Sequence, residues 1–205
     1  MATVSKIAGL VSLLMMLTTG CSVLPGPPQD PVDQYTLEYT PDPETSVAAV
    51  EEATVLVVSN PRAHGGYDSA RIAYMQKAYG LRYYTRSRWA ATPARMLAPL
   101  LAEAIQETGQ FQALHRPPGT VAADVRLDTE LIRFHQDFTM QPSAMRITLR
   151  AQLVDLKAGR VLATRLFDLK ETTATEDAYG GVVAANLAVQ QLLQELAQFC
   201  VDHQP

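Results

Sequence analysis

Two stretches alternate apolar and polar residues too regularly for a helix. In DVRLDTEL, residues 124–131, Val125, Leu127, Thr129 and Leu131 face one way, and Asp124, Arg126, Asp128 and Glu130 the other. Met145, Ile147, Leu149, Ala151 and Leu153 repeat the pattern. A period of two is that of a strand with one buried face. Such a face needs a cover, so helices must lie on it. Lys157, Ala158 and Gly159 end the second stretch, and Gly159 can take the positive φ of a short hairpin loop.

Earlier segments extend the sheet. TVLVVS at 54–59 is a β-branched run closed by Asn60 and Pro61, suited to a buried strand. ARIAYMQ and LRYYTRS flank Lys77, Ala78, Tyr79 and Gly80, which predicts a hairpin.

Two helices supply the cover. Thr92 and Pro93 read as cap and first residue of the first. Met96, Leu97, Leu100, Leu101, Ala104 and Ile105 follow at helical spacing, and Gly109 ends the run. Pro99 should bend this helix or shift its start. The second is expected over about 177–200, with Thr173 and Glu176 at capping-box spacing and a weak first turn at Gly180 and Gly181. Val182, Val189, Leu192, Leu193, Leu196 and Phe199 form its apolar stripe, with Cys200 as a small buried hydrophobe. The expected fold is α+β: a largely antiparallel sheet with two amphipathic helices packed on one face.

The chain opens with Lys6, the apolar run IAGLVSLLMML, then Thr18, Thr19, Gly20 and Cys21. That is the pattern of a secretory leader, too short to span a membrane. A cysteine directly after a small residue resembles the lipobox of bacterial lipoproteins, although Leu17 stands one place earlier than the usual leucine. The resemblance implies acylation of Cys21, and acyl chains together with Ser22 after the cysteine imply the outer membrane, periplasmic face. Plain cleavage near Gly20 is the alternative. Residues 1–20 thus read as a lipoprotein signal peptide, 21–34 as the lipidated cysteine and a proline-rich tether, and 35–205 as a single domain.

Nothing in the residue pattern calls for chemistry. His64, His115, His135 and His203 are scattered, without zinc-ligand spacing, and there is no nucleophile elbow or phosphate loop. No catalytic residue, metal or cofactor is expected. The whole chain carries 17 basic and 21 acidic residues, which disfavours nucleic acid as a partner. Its charge is unevenly spread. Asp30, Asp33, Glu38, Asp42, Glu44, Glu51 and Glu52 fall in a leading segment without a base, whereas 62–95 holds seven bases and only Asp68. Arg82, Arg86 and Arg88, with Arg71 opposite, could meet an acidic partner or phospholipid headgroups, or pair with the acidic leading segment. The single tryptophan, Trp89, is either a wedge at a strand-to-helix corner or an exposed contact residue beside Tyr83.

The order of Cys21, then Tyr35-Thr36-Leu37, the strand ending at Pro61, GYDSARIAYMQ at 66–76, and Trp89 with Ala90, Thr92, Pro93 and Leu97 resembles the ABC-type transport auxiliary lipoprotein family. Many members carry leucine-aspartate-arginine where this chain has Tyr67, Asp68 and Ser69, so no role of that arginine is carried over. The resemblance covers roughly 35–200. It implies a noncatalytic, outer-membrane-anchored lipoprotein that docks to an MCE-domain protein and helps pass phospholipid or another apolar substrate. Direct lipid carriage and a structural role in another envelope assembly are the alternatives, and self-association is left open. Candidate partner-binding residues are Arg71, Arg82, Tyr83, Arg86, Arg88 and Trp89.

Overall fold

The long alternating run 125–137 becomes the organising strand of a nine-stranded sheet. The computed structural model describes residues 31–41, 53–115 and 122–205. The expected signal peptide, Cys21, the expected tether up to Asp30, and Asp42, Glu44, Glu51 and Glu52 lie outside the described residues. In chain order the elements are β1 (Asp33–Tyr35), β2 (Thr54–Val58), β3 (Arg62–Ala63), β4 (Arg71–Met75), β5 (Leu81–Trp89), α1 (Pro93–Glu107), β6 (Phe111–His115), β7 (Val125–Asp137), β8 (Ala144–Asp155), β9 (Arg160–Thr172) and α2 (Ala178–Asp202).

One edge of β7 pairs antiparallel with β8 from Val125↔Asp155 to Asp137↔Ala144, and β8 pairs antiparallel with β9. The other edge of β7 takes β2, β3 and β4 in turn, all parallel, through Leu56↔Val125, Arg62↔Glu130 and Tyr74↔Gln136. β6 lies outside β2; β5 lies outside β4, and β1 outside β5. The sheet is thus mixed, with its longest ladders antiparallel. A bulge between Leu131 and Arg133 moves the buried phase from odd to even residues, so Phe134 and Gln136 continue the face begun by Val125. This phase change is why strict alternation in the sequence stops at Leu131.

α1 begins as expected: the Thr92 hydroxyl accepts from the Arg95 amide at 3.4 Å, with Pro93 at the first position. Pro99 is exposed and falls inside α1 without shifting its start. Gly109 has φ +68° just past the end. The cap of α2 differs from expectation. Asp177 caps it, accepting from the Gly180 amide at 2.7 Å. Thr173 and Glu176 instead hold Ser143: the Thr173 amide donates to the Ser143 carbonyl at 2.9 Å, and the Ser143 amide donates to Glu176 Oε1 at 2.8 Å.

Both helices pack on the same face of the sheet and against each other, α1 over β6 and β2, α2 over β8 and β9. Leu127, Leu131, Ile147, Leu149, Leu192, Leu193 and Leu196 fill the layer between, each with no exposed surface. Cys200 is fully buried here, and burial pushes its thiol up to about 12. It acts as a small hydrophobe. The hairpin loops fall where expected, with positive φ at Tyr79 and Gly159.

Candidate functional site: a cationic face and its cavity

The face of the sheet away from the helices is polar. Toward one end its charges are matched: Glu130 accepts from Arg150 at 2.6 Å and lies 3.1 Å from His64, and Arg126 pairs with Asp128 at 2.9 Å. Toward the β4–β5 hairpin the balance turns positive.

The β4–β5 register sorts the predicted hairpin residues. Arg71 pairs with Arg88 and Ala73 with Tyr83, which sets Arg71, Tyr83 and Arg88 on one face. The Arg71 guanidinium lies over the Tyr83 ring, 3.8 Å from its centroid, and the Tyr83 hydroxyl donates to the Gly66 carbonyl at 2.9 Å. Arginines directly opposite each other repel. The Tyr83 ring offsets part of this for Arg71 through cation–π attraction. Arg82 pairs with Tyr74 and so faces the other way. Arg86 is exposed within the irregular part of β5. Trp89 is 1% exposed and meets Phe134 edge-on, ring centroids 5.5 Å apart. It is a core wedge at the strand-to-helix corner and offers no surface to a partner. The described part of the acidic leader also touches this region, since Asp33 is in register with Ser87 through the parallel β1–β5 pair.

Next to this patch lies a cavity of about 510 Å³, walled by Tyr67, Met75, Tyr79, Arg133, His135 and Arg146 among others. None of these was singled out as a candidate site residue from the sequence, because they come from a loop, a turn and three strands. His135 is 4% exposed, and its Nδ1 lies 3.0 Å from the Tyr67 hydroxyl, with the two rings nearly parallel. Burial pulls the imidazole down to about 4, Asp137 opposes this, and Arg146 and Arg133 reinforce it. His135 is therefore neutral near pH 7. Burial alone would raise Asp137, but hydrogen bonds from the Thr139 hydroxyl and amide, with His135 and Arg146 nearby, leave it lowered and ionised. Burial likewise raises the Tyr67 phenol.

A second depression of about 710 Å³ runs between residues 34–40 and α2. Asn186 and Gln190 hold the extended segment there: the Glu38 amide donates to Asn186 Oδ1 at 2.9 Å and the Thr40 amide to Gln190 Oε1 at 3.1 Å. Tyr179, Val183 and Leu187 are exposed along the same helix. Among the described residues no group of three or more His, Cys, Asp or Glu side chains could hold a metal ion.

The fold and this face define a two-layer α+β domain with helices on one side of a mixed sheet and a charged, open surface on the other. The chain belongs to the family of ABC-type transport auxiliary lipoprotein components, which matches residues 35–197. The crystal structure of protein XCC0632 from Xanthomonas campestris, of the DUF330 family, is similar at TM-score 0.71 and 26% identity, over 84% of this chain and 95% of that one. The hypothetical protein CT253 from Chlamydia trachomatis shares the fold at TM-score 0.52 and 7% identity, over 74% of this chain and 98% of that one. No curated protein matches the chain.

Proposed function

We propose that this protein is a noncatalytic auxiliary subunit of an ABC-type intermembrane lipid transport system, anchored through acyl chains on Cys21 to the periplasmic face of the outer membrane. The family match over residues 35–197 carries the reading, and the lipobox-like Thr18-Thr19-Gly20-Cys21 supports the anchor. The partner is an MCE-domain protein, met through the open face around Arg71, Tyr83 and Arg88. Exposed like charges side by side favour an acidic partner surface. The filled layer between sheet and helices favours a role by contact over a carrier that would enclose lipid there.

The test is a photo-crosslinking residue at Arg88 in living cells, with Val161 on β9 as control, both being exposed. Adducts with an MCE-domain protein at Arg88 alone are expected. Capture of a different envelope protein would move the reading to a structural lipoprotein, and capture of lipid alone to a carrier.

A further inference from the structure

We propose that the cavity beside His135 is a binding site for a phosphate-type oxyanion. Its donors outnumber their acceptors. Arg133 makes no ion pair among the described residues. Arg146 reaches Asp168 at 3.5 Å and Asp137 only at 4.0 Å, while its Nε is buried with no hydrogen-bond partner. That Nε is itself enclosed, so a ligand oxygen in the cavity would bond the remaining guanidinium N–H groups of Arg146. His135 adds a third donor in the tautomer where Nδ1 accepts from the Tyr67 hydroxyl 3.0 Å away and the neutral ring carries its proton on Nε2.

The one carboxylate in the wall does not cancel this. Asp137 Oδ1 accepts from the Thr139 amide at 2.9 Å and hydroxyl at 2.6 Å, which turns part of its charge toward that loop. Asp168, outside the wall, accepts from the Thr148 hydroxyl at 2.7 Å. The planar guanidinium forks suit the tetrahedral oxygens of a phosphate.

The rim points to an organic ligand portion. Tyr79 is fully exposed, and it has φ +65°, where a residue with a Cβ is rare. Glycine would fit that turn with less strain. Tyr79, Met75 and Ala78 share one part of the wall, an apolar side to an otherwise polar cavity. Free phosphate and the phosphodiester of a lipid headgroup share the recognising chemistry. The site does not depend on which protein docks, since Arg71 and Arg88 are not among its wall residues.

The full chain in detergent would be titrated with inorganic phosphate, with glycerophosphoglycerol and with sodium chloride, following the His135 imidazole resonances. Saturable shifts with either phosphate compound are expected, weakened roughly tenfold in Arg133→Gln by loss of a charge-assisted contact. Tighter binding of glycerophosphoglycerol, reduced in Tyr79→Gly, would identify a lipid headgroup; phosphate binding untouched by Tyr79→Gly would identify a small free anion. Arg133 is exposed and unpaired, so its variant should remain folded. Shifts that chloride reproduces, or phosphate binding unchanged in Arg133→Gln, would overturn the proposal.

Discussion

Gly181 of α2 lies directly over Gln136 of β7: a Cβ on Gly181 would come within 2.5 Å of Gln136 Oε1. That oxygen accepts from the Tyr84 hydroxyl at 2.9 Å, and the Gln136 amide nitrogen donates to the Ser143 hydroxyl at 3.0 Å. Gln136 has no exposed surface. Gly181, in the weak first turn of α2, is what lets the helix approach a buried polar network, while Gly180 leaves room for Thr175. Gly181→Ala should lower stability by about 1 to 3 kcal/mol, since the amide must shift or lose a partner. Gly65→Ala, with open space around it, is the control in urea denaturation. Equal stability of the two variants would contradict this packing.

Trp89 packs the end of β5 against β7 through its contact with Phe134. Trp89→Ala should cost roughly 3 to 5 kcal/mol. Trp89→Phe should recover much of it by keeping an aromatic ring at the corner. An unchanged melting temperature for the alanine variant would place the indole outside the core.

Acid sensitivity should trace to His135. The unfolded chain takes up a proton below the ordinary value near 6.5, whereas the folded ring resists until about 4. Acid therefore favours unfolding across that window. Stability present above pH 6.5 should fall by up to roughly 3 kcal/mol as pH drops to 4. The lowered carboxyl of Asp137 acts in the same direction at lower pH. A His135→Gln variant should lose much of the slope between pH 6.5 and 4 in thermal melts, and retention of the full slope would assign it to other groups.

The extended segment 36–40 depends on two side-chain amides of α2. Asn186→Ala should speed hydrogen exchange at the Glu38 amide, and Gln190→Ala at Thr40, each by roughly fivefold for a hydrogen bond worth about 1 kcal/mol. Exchange unchanged at both amides would mean that other contacts hold the segment.

Thiol chemistry checks the anchor. Cys200 is buried with its thiol pushed up to about 12, so it should not react in the folded protein. If Cys21 is acylated, the native protein purified from membranes should show no reactive thiol, and denaturation should expose only Cys200. A reactive thiol in the folded protein would point to an unmodified Cys21.

Local chemistry alone determined the strands with strict alternation, the Thr92-Pro93 start of α1, both hairpin loops and the apolar stripe of α2, because periodicity, caps and turn residues act over a few neighbours. The cationic character of the β4–β5 hairpin was legible for the same reason. β1, β3 and β6 were not, being short strands whose partners are distant in the chain and parallel. Nor was the reach of β7 to Asp137, since the bulge after Leu131 breaks the period that would reveal it. Thr173 and Glu176 had capping-box spacing, yet Ser143, some thirty residues away, offered them better partners in the fold. Only tertiary structure sorted the arginines onto two faces, buried Trp89, and gathered Tyr67, Arg133, His135 and Arg146 around one cavity. Which face a residue occupies depends on strand register and on bulges, and those are settled by long-range pairing that no short stretch of sequence contains.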